Sequence, residues 1–459
     1  MSDASRPAFL APADAESLPV WCVSAAGFPP AGLPTAARAF AAAAGFAGES
    51  GKLLPVPGEG GAVVGFLFGV PGEGGDALAL GALPGLLPAG TYRLEGEVPA
   101  QGALAFALGT YRFDRYRAAA KPKAVRLKPG ATLDVAALTR TFEAVSLVRD
   151  LVNTPSNDLG PADIEAAARA LAARHGGEAR VIVGEALLSE NFPLIHAVGR
   201  AAARPPRLID LTFGPADAPK VTLVGKGVAF DTGGLDIKTS AGMLLMKKDM
   251  GGAASALGLA HLILSRGLKV RLRVLIPAVE NAISADAFRP GDVLRSRKGI
   301  TVEIGNTDAE GRLILADALD LADAESPDLL IDFATLTGAA RVALGPQLPP
   351  AYTDDDTLAE DLARHAAAVA DPLWRLPLWR PYLSMLDSKV ADINNAGSGG
   401  FAGSITAALF LSRFVERAKS WLHLDIYAWN PSSKPGRPEG GEAQTIRALD
   451  ALLAERYGA

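Results

Sequence analysis

Hydrophobic and polar positions change rhythm near residue 120. Up to that point apolar residues come in short runs, among them "GAVVGFLFGV" and "ALAFALGTYRF", divided by turn clusters such as "VPGEGGAVVG" and "VPGEGGD". Runs of that length bounded by glycine and proline predict strands. The repeated "VPGEGG" has dissimilar flanks, so it marks two similar turns rather than a repeat. Next comes "AAAKPKAVRLKPGATLD", basic, proline-containing and without apolar periodicity, the pattern of a linker. From Leu133 to Asn153 apolar residues recur at helical spacing until Pro155 stops them, which predicts one long amphipathic helix bridging two domains.

Past that helix, strand and helix patterns alternate. Strands are predicted at "ARVIVG", "PRLIDLTFG", "KVTLVGKG", "VRLRVLIPAV", "DLLIDFAT" and "WLHLDIYAW", and helices at "PADIEAAARALAARHGG", "GAASALGLAHLILSRG", "RLILADALDLADAE" and "SITAALFLSRFVERAKS". Such alternation with near-continuous apolar strands argues for a mixed α/β fold, its largely parallel sheet covered by helices on both faces. Ligands bind such sheets beyond the carboxyl ends of the strands. The expected division is an N-terminal α/β domain over 1–125, a linker and bridging helix over 126–152, and a larger domain over 153–459.

Composition narrows the functional classes. A chain of 459 residues has room for two or three domains with substantial cores. Its 45 basic and 50 acidic residues give a net charge of −5, so nucleic acid is not an expected partner. No apolar run approaches the roughly 18 residues of a membrane span. The single cysteine, Cys22, cannot form an intramolecular disulfide, and "MSDASRPAFLAPADAESL" lacks the pattern of an export signal. A reducing cytoplasm is therefore the expected location. There are five histidines and no H-E-x-x-H pair, so a metal site would need other ligands. Serine-hydrolase elbows and phosphate-binding P-loops are absent as motifs too.

Two polar stretches interrupt the apolar pattern. "EIGNTDAEGRLILADAL", Glu303 to Leu319, sets Asp308, Glu310 and Arg312 two apart. In an extended segment these would project from one face toward one ligand; the plainer alternative is a polar turn ahead of a helix. "KVTLVGKGVAFDTGGLDIKTSAGMLLMKKDMGGAASAL", from Lys220, sets Lys226 between glycines and places Asp231, Lys238 and Asp249 in glycine-rich loops. Each charged residue alone reads as a solvated loop residue. Together, Asp231, Asp249, Asp308 and Glu310 would carry four negative charges that cannot all stay ionised in close contact without cations. Two divalent ions would balance them, and a carboxylate-rich set with one amine suits zinc, manganese or magnesium better than copper.

"VGKGVAFDTGG", "IKTSAGMLLMKKDMGGAA" and "NTDAEGRLILADAL", with "RDLVNTPSNDLGP", "AGSITAALFL" and "WLHLDI", resemble the leucine aminopeptidase (cytosol aminopeptidase) family of dinuclear metallopeptidases. The similarity runs from about Leu104 to Ile426 and fades over residues 1 to about 100, where the family has an N-terminal domain of the macro-domain α/β type. The resemblance implies a metal-dependent aminopeptidase that frees N-terminal, leucine-like residues from peptides. Its ligands would be Lys226, Asp231, Asp249, Asp308 and Glu310. Asp231 and Glu310 would bridge, Asp249 and Lys226 would complete the shell of the less exchangeable ion, and Asp308 would serve the other. Lys226 would then have to be a neutral amine. Zinc or manganese is implied, with magnesium and cobalt as alternatives. Lys238 would stabilise the charge developing on the carbonyl oxygen, and Arg312 would anchor a bicarbonate that acts as general base. Met246, Thr335, Leu336 and Gly338 would lie near the pocket for the first side chain. A cytoplasmic homohexamer is also implied.

Two positions depart from the family's usual pattern: Thr232, where serine is usual, and Thr239, where proline is common. Neither removes a ligand. His423 reads as a satisfied core histidine, His261 as part of a buried helix, and "RSRKG", Arg295 to Gly299, as a solvated hairpin tip. Some relatives bind DNA as architectural or regulatory proteins, the competing reading, which the charge of −5 disfavours. A catalytically silent homologue is disfavoured by the full set of ligand types.

Overall fold

The structure is a computed structural model that describes residues 7–29, 32–117 and 123–458. The first six residues of the stretch read for an export signal, and 118–122 of the predicted linker, lie outside the described residues. The chain forms two compact units, one of residues 1–143 with 432–439, the other of 144–431 with 440–459.

The smaller unit is built on a five-stranded sheet in the order Leu53–Pro57, Val63–Gly69, Leu18–Val23, Gly90–Gly96, Val125–Leu127. Its strands are parallel except for the Leu53–Pro57/Val63–Gly69 hairpin. Both "VPGEGG" segments are turns, and the first closes that hairpin. One predicted strand is a helix: "ALAFALGTYRF" folds as the helix Gly102–Gly109. A short run that is apolar on every side has no period to distinguish the two forms, and its alanines and leucines favour helix. Its Phe106 joins Val20, Phe66, Phe68, Leu80 and Tyr92 in the core.

The larger unit carries a nine-stranded sheet. Its main path runs Trp374–Arg375, Pro350–Tyr352, Trp421–Asp425, Leu329–Ala334, Lys220–Gly225, Arg271–Asn281, Arg207–Phe213, Glu178–Val183, and Gly227–Asp231 pairs beside Arg271–Asn281. The central strands, Trp421–Asp425 to Arg271–Asn281, are parallel to one another, and antiparallel pairs flank them on both sides. Every residue of Leu329–Ala334 is buried, as a strand covered on both faces requires. Helices Gly251–Arg266 and Glu310–Asp323 are buried along most of their length, which explains the nearly all-round apolar sequence of the first; the second buries charged residues that find partners in the fold. The mixed α/β architecture with a separate N-terminal unit therefore agrees with the sequence reading.

The helix predicted over "SITAALFLSRFVERAKS" ends early, at Ser412. The buried Asp323 carboxylate accepts the backbone N–H groups of Glu416, Arg417 and Ala418 at 2.8–3.0 Å, holding that stretch as a turn. "RSRKG" does tip a hairpin, Val293–Arg295 with Thr301–Glu303, with Arg295 and Gly299 exposed and two half-buried side chains tied to neighbours. Arg297 lies 4.6 Å over the Phe192 ring, and Lys298 Nζ donates to the carbonyl of Arg413 at 2.6 Å. His423 is a core residue: its Nδ1 is 2.6 Å from Asp332, and its ring stacks near Tyr352 and Trp421.

Asp317, fully buried in the helix Glu310–Asp323, ties that helix to its neighbours. Its two carboxylate oxygens accept backbone N–H groups of Leu194 at 2.8 Å, Ile195 at 3.3 Å and Arg297 at 2.8 Å. An amide offers one acceptor oxygen, so Asp317→Asn would turn an N–H toward an N–H. Asp317→Asn is expected to cost about 1–3 kcal/mol of stability, seen as a lower urea midpoint with unchanged slope.

Candidate metal centre and cavity

The predicted site residues gather at the carboxyl ends of the central strands. Lys226 follows the strand Lys220–Gly225, Asp231 ends Gly227–Asp231, and Thr335 follows Leu329–Ala334. Asp249 lies in the one-and-a-half-turn segment Met246–Met250, just ahead of the helix Gly251–Arg266. That helix can start so close to the strands only because position 252 has no side chain. A Cβ on Gly252 would lie 2.2 Å from the carbonyl oxygen of Phe333 and 2.8 Å from the Lys226 nitrogen.

The motif around Asp308 settles its backbone question. Thr307 and Asp308 form a turn and Glu310 opens the helix Glu310–Asp323, so the plainer reading of the local backbone is the right one. Asp308 and Glu310 nevertheless approach Asp231, and one carboxylate oxygen from each of the three lies within 4.8 Å of the other two. Gly311 is not needed for a turn. It is helical, and a Cβ there would meet Lys226 Cε at 2.4 Å and Nζ at 2.7 Å. Gly311→Ala is expected to weaken cation binding and to cost on the order of 1–3 kcal/mol through overpacking, measured by metal titration and thermal melting side by side.

Two ammonium groups thread the acidic cluster. Lys226 Nζ is 2.8 Å from Asp249 and 3.0 Å from Glu310, and donates to the carbonyl of Thr335 at 3.0 Å. Lys238 Nζ is 2.9 Å from Asp231 and also contacts Asp308. Burial opposes the charge on Lys226, but Asp249, Glu310 and Asp231 outweigh it and raise its pKa. In this arrangement Lys226 is an ammonium; coordination to a cation is what would take its proton. Burial together with the Asp231 charge pushes the Asp308 carboxyl up to about 6, and burial with the same neighbour raises Glu310. The lysines thus leave the carboxylates short of positive charge. The oxygens these ammonium groups touch, Asp249 Oδ2 and Asp308 Oδ1, find no other donor among the described residues. Hard oxygen donors, one amine and this residual negative charge fit divalent cations.

Residues the sequence reading passed over, together with Thr335, hold the cluster in place. Asn281 Nδ2 and the Gly233 N–H both donate to Asp231 Oδ1 at 2.8 Å, while Oδ2 meets the Lys238 ammonium in the site. Thr335 Oγ1 donates to Asp249 Oδ1 at 2.8 Å. Asp236 accepts from the Thr307 N–H at 2.8 Å and so joins the two polar loops. Asn395 accepts the N–H groups of Gly305 and Asn306, and its carbonyl receives Arg312 Nη1 at 2.7 Å. Asp425 accepts from the backbone of Leu336 and Thr337 at 2.9 and 3.1 Å. These are single polar residues in loops or at strand ends, and sequence spacing carries no signal that distinguishes them from solvated ones.

The centre opens into a cavity of about 650 Å³. All eleven predicted site residues line it: the five ligand candidates, Lys238, Arg312, Met246, Thr335, Leu336 and Gly338. Arg312 is 8% exposed, has no carboxylate ion-pair partner among the described residues, and leaves its Nε without an acceptor. Thr232 and Thr239 make loop contacts: Thr232 donates to the Asn281 carbonyl at 2.9 Å, and Thr239 accepts from the Gly242 N–H.

A parallel-centred α/β sheet with a carboxylate and lysine cluster beyond its strand ends defines a metallohydrolase architecture. Residues 146–450 match the catalytic-domain model of the cytosol aminopeptidase family, and residues 30–129 match the M17 aminopeptidase N-terminal domain. The chain belongs to the cytosol aminopeptidase family, a family of metal-dependent peptidases. It is 41% identical over 366 residues to a probable cytosol aminopeptidase of Chlorobium limicola, covering 75% of this chain and 73% of the relative. It is 44% identical over 345 residues to peptidase B of Cronobacter sakazakii, covering 72% and 81%. Among solved structures, the cytosol aminopeptidase of Coxiella burnetii superposes with a TM-score of 0.92 at 46% identity over 96% of this chain and 98% of that one. A bottromycin maturation enzyme in complex with Mn gives 0.86 at 35% identity over 96% and 100%. No helix among the described residues is long and apolar enough to cross a membrane.

Proposed function

We propose that this aminopeptidase removes leucine-like N-terminal residues from peptides in the cytoplasm, using two divalent cations held by Lys226, Asp231, Asp249, Asp308 and Glu310. The observation that carries the reading is the meeting of Asp231, Asp308 and Glu310 within 4.8 Å, with Lys226 joining Glu310 to Asp249. Bound there, zinc, manganese or a similar ion would supply Lewis acidity and a nucleophilic water near neutral pH. Lys238 then presents its ammonium to the carbonyl oxygen as negative charge develops on it. Arg312, buried without an ion pair, is suited to hold an anion, and bicarbonate in that place would take the proton of the attacking water. Met246 and Leu336 offer apolar surface and Gly338 offers room, which favours leucine-like side chains. Thr335 turns its hydroxyl to Asp249, so its part is to orient that carboxylate.

Metal-stripped protein re-supplied in turn with zinc, manganese, cobalt and magnesium tests this reading on a panel of aminoacyl amides. The expected result is uptake of two ions per chain, activity restored with them, and leucine and methionine leading among the neutral amides. Hydrolysis that persists without metal, or saturation at one ion, would overturn it. Homohexamer assembly is part of the same proposal and is read directly by mass measurement in solution.

A further inference from the structure

Of the five carboxylates that line the cavity, four belong to the metal centre. The fifth, Asp425, ends the strand Trp421–Asp425 and is 2% exposed. Its Oδ1 accepts the N–H groups of Leu336 and Thr337 at 2.9 and 3.1 Å, and its Oδ2 accepts the hydroxyls of Thr337 and Ser404 at 2.7 and 2.9 Å. Four donors suit a carboxylate, whereas the acid form would bring a donor of its own. All four are neutral, and no lysine or arginine forms an ion pair with Asp425 among the described residues. Its negative charge is therefore not spent on a direct partner.

That charge reaches Arg312, which lines the same cavity. Burial opposes the charge on Arg312, and the carboxylates that favour it are Glu310 and Asp425. Glu310 is assigned to the cations, and a divalent ion bound there offsets its field. Asp425 is then the negative charge that remains to Arg312. The guanidinium places Nη1 on the Asn395 carbonyl at 2.7 Å and leaves Nε without an acceptor, so it has donors to offer an anion. An anion drawn to Arg312 also enters the field of Asp425, which repels it. Attraction and repulsion oppose each other at one seat.

We infer that Asp425 is a fixed counter-ion to Arg312 that weakens the seat for bicarbonate, so that the anion exchanges with solution instead of being locked in place. The inference rests on the assignment of bicarbonate to Arg312 made above, and it makes Asp425 a positioning residue that acts through that arginine. The plainer role for Asp425 is to brace the wall segment Leu336–Thr337. Removing a brace loosens a site or leaves it unchanged, whereas removing an opposing charge tightens it.

Asp425→Asn separates the two roles, because it removes the charge and keeps the shape. Its amide oxygen can accept the two backbone N–H groups, and its NH2 can donate to the two hydroxyl oxygens. Bicarbonate is titrated calorimetrically into metal-loaded wild type, Asp425→Asn, Arg312→Met and the double variant, with metal content matched. Asp425→Asn is expected to bind bicarbonate about tenfold more tightly, the order of effect of a unit charge several ångströms away at an effective dielectric of about 20. The gain should vanish in the double variant, a comparison that matters because Lys248 also lies in the field of Asp425. Unchanged or weaker binding in Asp425→Asn, or a gain that survives without Arg312, would overturn the inference. Asp425→Ser, smaller and also neutral, gives the same reading if the amide variant fails to fold. Wild type that binds no bicarbonate, or binds it just as well as Arg312→Met, removes the anion assignment and this inference with it. Arg312-dependent binding that is no tighter in Asp425→Asn removes this inference alone.

Discussion

Glu310→Gln is expected to abolish hydrolysis and to strip the protein of tightly held metal. Glu310 is 1% exposed, opens a buried helix, and reaches both the Lys226 ammonium and the Asp231–Asp308 pair. The substitution keeps the shape and removes one negative charge from a cluster whose function depends on that charge. Loss of a residue that merely orients a ligand typically costs 10–100-fold in affinity or activity, so loss of a ligand should exceed roughly 100-fold in both. Elemental analysis of dialysed protein beside leucine-amide turnover checks it. Two ions retained with normal turnover would exclude Glu310 from the metal shell.

Lys238→Met should give a different signature: metal retained, kcat reduced by roughly 10²–10³-fold, the usual penalty for losing one donor to a developing oxyanion. Lys238 contacts Asp231 and Asp308 from a less enclosed position than Lys226, its side chain 16% exposed against 3%, and it lines the cavity. Because the charge it meets exists mainly in the transition state, KM should move far less than kcat. A loss confined to KM would assign Lys238 to substrate binding and not to the chemical step.

Much of the fold was legible because its cause is local. Buried parallel strands such as Leu329–Ala334 have to be nearly continuous in apolar residues, its one polar residue, Asp332, being paired with His423, and helices between them have to punctuate that pattern. Where period carries no information, the reading failed: the run containing Phe106 is apolar on all sides and folds as a helix. The helix after Gly403 could not be ended correctly from sequence, since what stops it is Asp323, some ninety residues earlier in the chain. At the site, charge was the readable signal. Four carboxylates near glycine-rich turns demanded a shared explanation, and the structure brings Asp231, Asp308 and Glu310 together, with Asp249 joined to them through Lys226. The role of Gly311 was not legible because its requirement comes from Lys226, a side chain arriving from a distant part of the chain. Asn281, Asp236 and Asn395 were invisible for the same reason: a hydrogen bond across the fold leaves no mark on spacing.

The helix Gly251–Arg266 has buried residues from Gly251 through Ile263, and its second residue, Gly252, is pressed against the Phe333 carbonyl. It has no lenient side on which an added methyl group could be absorbed, and any displacement at its start is passed to Lys226 and Asp249 together. Laboratory evolution toward new substrates should therefore leave this helix nearly invariant. Accepted changes should accumulate instead in the cavity's loop walls, around Leu336 to Arg341 and Gly397 to Phe401, where the backbone can drift without disturbing the cations' seat.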